Sequence, residues 1–170
     1  MAQISTEVPG DERGTLLSFV RSQRTALRET VEGLSEEQAA GRPSASELSL
    51  SGLLKHAAEC ERNWLYMARQ EPNPHRRTME TWSDSFHLTG EETIPSALAL
   101  WDEVAAQTEA LIAAVPSLDD TFPLPPAPWF PKDAKVSMRW MLLHLVEEFA
   151  RHTGHADIIR ETIDGKKAMG

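Results

Sequence analysis

Two acids and two histidines lie close together in the segment EEFARHTGHADIIRE, residues 147–161, which otherwise has the pattern of an amphipathic helix. At about 100° of rotation per residue, His152 and His155 both lie within about 40° of Glu148 around the helix axis. Apolar residues continue the same stripe on either side, so the face that should enter a core carries three polar groups. Buried groups of this kind need mutual hydrogen bonds, a water-filled cavity or a metal ion.

A further histidine, His56, lies on the apolar stripe of an earlier helical segment. Inward residues of facing helices meet in a bundle, and two helices could together supply imidazoles and a carboxylate. Such donors suit zinc, nickel, iron or manganese, and three protein ligands leave coordination positions for water or substrate. The pattern therefore favours a mononuclear metal site or catalytic cavity with His56, Glu148, His152 and His155 as candidates.

Two simpler interpretations stay open. A single inward histidine is often a hydrogen-bonded core residue, and Glu148 with His152 could form an ion pair at i,i+4 spacing on a solvated face.

Other ionisable residues are expected outside the site. We expect His144 to border it, Cys60 to behave as a small buried hydrophobe, and the surface to hold Glu147, His75 and His87.

Four segments have a period close to 3.6 residues and plausible caps, which predicts helices over 12–34, 49–70, 93–115 and 137–163. We expect the first helix to end near Gly33 and residues 35–40 to form a turn. No alternating β-branched run appears, so no sheet is predicted. The fold expected is an all-α four-helix bundle in one domain, residues 1–170, with two long loops over one end.

The two long loops are residues 71–92 and 117–136, and both exceed the ~2 to 8 residues usual in bundles. Loops of this length are often lids or site walls. The second contains PLPPAPWFPK, which proline stiffens and which carries Trp129 and Phe130 at its tip.

Gly154 lies inside the last predicted helix at a cost of about 1 kcal/mol relative to alanine, so we expect a neighbouring helix or ligand to approach it closely.

Charge, cysteine count and missing motifs argue against several function classes. A net charge of -9, spread along the chain, disfavours binding to nucleic acid or to an anionic membrane surface. The lone Cys60 cannot form an internal disulfide, and no signal peptide or membrane-spanning run is recognisable, so we expect a cytoplasmic protein. The motifs of zincin proteases, ferritin-like di-iron proteins, serine hydrolases and phosphate-binding loops are absent from the sequence.

Three stretches resemble the DinB-like four-helix bundles, in particular the branch near the mycothiol-dependent maleylpyruvate isomerases. They are LSLSGLLKHAAECERNWL, ETIPSALALWDE and SMRWMLLHLVEEFARHTGHADIIRETIDG. The resemblance implies a divalent metal, zinc or nickel, held by a histidine of the second helix and by Glu-x-x-x-His of the fourth. His56, Glu148 and His152 match those positions. His155 falls where many relatives carry glutamine, and it could be a fourth ligand or a general base.

The resemblance further implies a thiol transferase or isomerase in which the metal activates a small thiol, such as mycothiol or bacillithiol, toward a small electrophile. Two alternatives are a metal-dependent hydrolase and a non-enzymatic, stress-related binding protein that keeps its histidines for structure. The expected partners are a small-molecule substrate and the thiol. A homodimer through an exposed apolar helix face is possible, as in some relatives.

Overall fold

The computed structural model describes residues 9–128 and 130–167 and has four long helices. These are α1 (Glu12–Glu29), α3 (Leu50–Arg69), α4 (Ile94–Ala114) and α5 (Met138–Asp164), with a short α2 (Glu36–Ala40) and a 3₁₀ helix (Trp82–Phe86). Helix α3 packs against both α4 and α5, and α1 packs against α5. The predicted all-α bundle is confirmed. No helix among the described residues has the length and hydropathy needed to cross a membrane.

Helix starts follow their capping residues. Asp11, Ser49, Thr93 and Ser137 each accept a hydrogen bond from a backbone N–H in the first turn that follows. The predicted turn over 35–40 is wrong, because Ser35 and Gln38 form a capping box that starts α2. That S-x-x-Q signal was present in the sequence.

Helix α1 ends at Glu29, five residues before the predicted end. The guanidinium of Arg160, on α5, donates to the carbonyl oxygens of Thr30 and Glu32 at 2.8 and 2.9 Å. Carbonyls bound in this way are satisfied without a further helical turn. The chain then turns through Gly33, whose φ of 74° lies in the left-handed region that glycine tolerates.

The prediction that the chain has no sheet is wrong in one place. The second long loop contains strands β1 (Thr121–Pro123) and β2 (Lys135–Ser137), which pair antiparallel with Phe122 opposite Val136. Three residues are too few to produce a recognisable alternation, and prolines separate the two strands. Phe122 is buried in the core, so the hairpin is anchored to the bundle.

Both long loops lie against α3. The first contacts it through the 3₁₀ helix, and the second through β1 and through Phe130, whose ring centroid lies 6.3 Å from that of Trp64. Trp129, the other aromatic residue expected at the loop tip, lies outside the described residues. The first loop therefore contacts the helix that carries His56.

Gly154 does not mark a close approach of a neighbouring helix. It is exposed, and apart from the backbone of its own helix no described atom lies within 4 Å of the position that a Cβ would take. We expect Gly154→Ala to raise the free energy of unfolding by about 0.5–1 kcal/mol, because alanine has fewer unfolded conformations to lose. Urea denaturation of the two proteins measures the difference, and a loss of stability would contradict this account.

Candidate metal centre

His56 of α3 meets Glu148 and His152 of α5 where the two helices face each other. Each residue offers one ligand atom, and these atoms lie within 4.8 Å of one another. The ring centroids of His56 and His152 are 4.8 Å apart, with the rings nearly perpendicular. Further along α3, the ring of Trp64 lies 4.8 Å from that of His144. The two helices are therefore antiparallel. Because they pack against each other, residues about ninety positions apart form one site.

The donors at this site fit a divalent transition metal. Both histidines are buried, and Nδ1 of His152 has no hydrogen-bond partner among the described residues. Its Nε2 lies 3.6 Å from Oε2 of Glu148, which is longer than a normal hydrogen bond. A buried polar atom left unpaired costs about 1–3 kcal/mol, and a bound ion would remove part of that cost. Two imidazoles and a carboxylate are ligands that zinc and nickel accept.

Burial and charge set the protonation states that a metal requires. Burial and, to a smaller extent, the neighbouring His152 lower the pKa of His56 to about 4, although Glu148 opposes the shift, so the ring is neutral near pH 7. The pKa of Glu148 is also lowered, chiefly by its contact with His152, although partial burial opposes the shift. A neutral imidazole and an ionised carboxylate are the forms that bind metal.

The first long loop forms one wall of the site. The ring of Phe86 stacks on that of His56, with centroids 4.1 Å apart and planes 15° from parallel. Trp82 contacts the same imidazole edge to face at 6.2 Å, and the Oγ of Ser85 lies 3.3 Å from its Nδ1. The 3₁₀ helix thus covers His56, and its Phe86 ring also lies 6.4 Å from that of His152.

Two buried charges of α3 hold this loop in place. Lys55 donates to the carbonyl oxygen of His87 at 2.8 Å and to the carboxylate of Glu92 at 2.5 Å. Glu59 accepts two hydrogen bonds from Arg77, at 2.7 and 3.0 Å. Sequence analysis did not identify Lys55, Glu59, Arg77 or Glu92, because a charged residue on a helix is usually solvated and its loop partner cannot be read from spacing.

A glycine on α3 permits the close approach of the loop. A Cβ at Gly52 would lie 1.9 Å from the carbonyl oxygen of Phe86, which no side-chain rotation can relieve. We expect Gly52→Ala to displace the 3₁₀ helix and to destabilise the protein by about 1–3 kcal/mol, the range typical of overpacking. Urea denaturation measures the cost, with Gly154→Ala as the matched helical glycine. Equal effects of the two substitutions would contradict this role of Gly52.

His155 is not brought into the group. It lies three residues beyond His152, about 4.5 Å further along the helix axis, and its side chain is exposed. The ring centroids of the two histidines are 5.7 Å apart. Glu148, His152 and His155 therefore share one stripe of the helix without meeting at one point.

The remaining candidates lie outside the group as well. His144 stacks on Trp140, with ring centroids 4.9 Å apart. Burial raises the pKa of the Cys60 thiol well above its usual range, although the residue keeps some exposed surface. Glu147 is exposed and pairs with Arg151 at 2.6 Å, which confirms its expected surface position. In the loops, His75 is exposed as expected.

His87, which was also expected to face solvent, is half-buried. Its ring lies 3.2 Å from the guanidinium of Arg42. The Lys55 ammonium binds the carbonyl oxygen of the same residue. His87 therefore belongs to the contacts that hold the loop, and it lies outside the group of three.

Comparison with known proteins identifies the fold and the family of this chain. A solved structure of a conserved protein from Enterococcus faecalis has the same fold, with a TM-score of 0.64 over 94% of this chain and 100% of that chain, at 16% sequence identity. No curated protein matched the sequence. The family model described as mycothiol S-transferase matches residues 15 to 165, which confirms the resemblance to the DinB-like bundles. The chain belongs to the mycothiol S-transferase family.

Proposed function

We propose that this protein is a divalent-metal-dependent S-transferase, with zinc as the native metal and nickel as an alternative. Its substrates would be mycothiol, or a similar small thiol, and a small electrophile. The convergence of His56, Glu148 and His152 within 4.8 Å carries the proposal, in a chain of the mycothiol S-transferase family. When bound, the metal would lower the pKa of the thiol and so supply a thiolate near neutral pH.

The three residues would hold the ion and set its charge. Two neutral imidazoles and one carboxylate leave a net charge of about +1 on a divalent ion, which favours an anionic sulfur as a further ligand. Phe86 and Trp82 wall the site with apolar rings and limit water beside the reacting atoms. In the reaction, the S–H bond breaks and an S–C bond forms, while the leaving group departs from the electrophile with its bonding electrons.

The proton released by the thiol needs an acceptor, and we assign that role to His155. It is exposed on one side and its ring lies beside that of His152. An exposed imidazole can take up a proton and pass it to solvent. This assignment makes His155 a proton carrier and not a fourth ligand.

His155→Ala should separate these two roles. As a proton carrier, His155 contributes about 100-fold to the rate, the lower end of what general acid–base catalysis supplies, and the variant keeps its metal. His75→Ala, which removes an exposed loop histidine, is the matched control and should be unaffected. Turnover and zinc content are measured on the same samples. Zinc loss on substitution would instead make His155 a ligand.

The function itself is tested on protein purified without a histidine tag. Metal content is measured first, and turnover of a chromogenic electrophile is then followed with mycothiol, bacillithiol, glutathione, cysteine or no thiol. We expect stoichiometric zinc and turnover that requires both metal and mycothiol. Metal-dependent turnover without any thiol would indicate the hydrolase. Protein that carries no metal and turns over no substrate would indicate the non-enzymatic alternative.

A further inference from the structure

Ser85 is a buried residue of the first loop that contacts a proposed metal ligand. Only 2% of its surface is exposed, and its Oγ lies 3.3 Å from Nδ1 of His56. The same Oγ donates a hydrogen bond of 2.8 Å to the carbonyl oxygen of Trp82. A serine hydroxyl therefore lies between a backbone acceptor and an imidazole nitrogen.

The hydroxyl has one proton and two lone pairs, so it can donate only one of these two hydrogen bonds. The contact with Trp82 has the usual length of an O–H···O bond, whereas the contact with His56 is longer. With its proton directed to the Trp82 carbonyl, Ser85 can only accept from the imidazole. Nδ1 of His56 must then carry the ring proton, and the ring offers Nε2 as its lone-pair nitrogen.

We propose that Ser85 is a positioning residue that holds His56 as the Nδ1–H tautomer and thereby makes Nε2 its metal-binding atom. This inference rests on the metal site of the proposed function. Histidine ligands generally donate their second ring N–H to an oxygen acceptor, which fixes both tautomer and ring orientation. Ser85 supplies that acceptor from a loop.

The surrounding structure sets the position of Ser85 before any metal binds. The next residue, Phe86, stacks on the His56 ring and fixes its plane, and Gly52 lets this part of the loop lie against α3. The Lys55–Glu92 and Glu59–Arg77 ion pairs hold the loop on either side of the 3₁₀ helix. A hydroxyl held in this way loses little conformational freedom when the site fills.

The tautomer is tested directly on metal-free wild-type protein. Long-range ¹H–¹⁵N correlation spectra of ring-labelled protein, recorded near neutral pH, distinguish a protonated Nδ1 from a protonated Nε2. His56→Gln assigns the signal. We expect the Nδ1–H form, and a predominant Nε2–H form would overturn the proposal. This measurement requires neither metal binding nor a folded Ser85 variant.

Zinc affinity is then compared by competition with a chromophoric chelator. Ser85→Ala should bind zinc about 10–100-fold more weakly, as expected on loss of a hydrogen-bond partner of a ligand, and should show mixed His56 tautomers. Ser85→Thr, which keeps the hydroxyl, should restore both properties. Ser51→Ala is the control, since Ser51 is equally buried on α3. Zinc affinity of Ser85→Ala equal to that of wild type would overturn the proposal.

Failure of the proposed function gives a different result. Wild-type protein that binds no stoichiometric zinc would overturn the metal site, and with it the assignment of Nε2 as a metal ligand. A wild-type protein that binds zinc while Ser85→Ala binds it equally well would overturn only the role of Ser85.

Discussion

His56→Ala and His152→Ala are each expected to abolish stoichiometric zinc binding. Each substitution removes one of three ligand atoms that lie within 4.8 Å of one another, so the loss should exceed the ~10–100-fold typical of a partner outside the coordination sphere. His144→Ala should keep its zinc, because that ring is held between Trp140 and Trp64 and lies outside the group. Elemental analysis of tag-free protein gives the metal content of each variant.

Glu148 and Glu147 provide a matched pair on one helix. Glu148→Gln removes a ligand charge with almost no change in shape, and it should also lose zinc. Glu147→Gln changes the adjacent exposed acid, whose partner is Arg151 at the surface, and should bind zinc as the wild type does. If the histidine variants and Glu148→Gln kept the metal, the three residues would form only a buried polar cluster.

Thermal unfolding gives a second measure of the same site. A ligand that binds only the folded chain stabilises it by about 2.7 kcal/mol at one hundred times its dissociation constant. Added zinc should therefore raise the Tm of the wild type and leave that of His56→Ala unchanged. A similar rise in both proteins would mean that zinc binds elsewhere.

The bundle and the helical side of the site could be predicted because their signals are local. Helical periodicity and capping serines locate α3 and α5 to within a residue or two, and a stripe of polar residues in an apolar face draws attention to Glu148 and His152. The pairing with His56 follows once the helices face each other. It needs no information beyond the bundle architecture and the family resemblance.

The loop side of the site could not be predicted, because it depends on contacts between distant segments. Ser85 and Phe86 lie in a segment without helical or strand periodicity, and their contact with His56 depends on how the loop folds back. Gly52 carried the relevant signal, a glycine inside a helix one turn before His56. The same signal at Gly154 has no such cause, since no described atom outside its own helix backbone lies near it. A helical glycine alone therefore does not show what approaches it.

A buried ion pair on another face of α3 was also invisible in the sequence. Acids on helices are usually solvated, yet the side chain of Glu61 is fully buried. It lies five residues beyond His56, about 140° around the helix axis, and so faces away from the metal group. Its carboxylate accepts hydrogen bonds from Arg24 at 2.5 and 3.1 Å and from the Trp101 indole at 2.8 Å. This network joins α1, α3 and α4.

Arg24→Ala is expected to lower the free energy of unfolding by about 3–5 kcal/mol, because it leaves the Glu61 carboxylate buried without its cation. The indole of Trp101 could not compensate for a full charge. Arg21→Ala is the matched control one turn earlier on α1. Its partner, Glu109, also binds Arg24, but the Arg21 side chain is 55% exposed, so its loss should cost at most about 1 kcal/mol.

Urea denaturation of both variants measures this difference, and the double substitution Arg24→Met with Glu61→Leu identifies its cause. Replacement of a buried ion pair by apolar residues of similar volume is often neutral or stabilising, so the double variant should recover most of the stability lost in Arg24→Ala. Arg24→Met alone keeps most of the side-chain volume but leaves Glu61 unpaired, so a stability well below that of the double variant would show that the unpaired charge, and not lost packing, is the cause. A double variant as unstable as Arg24→Ala would mean that the bundle needs the ion pair itself to hold α1, α3 and α4 together.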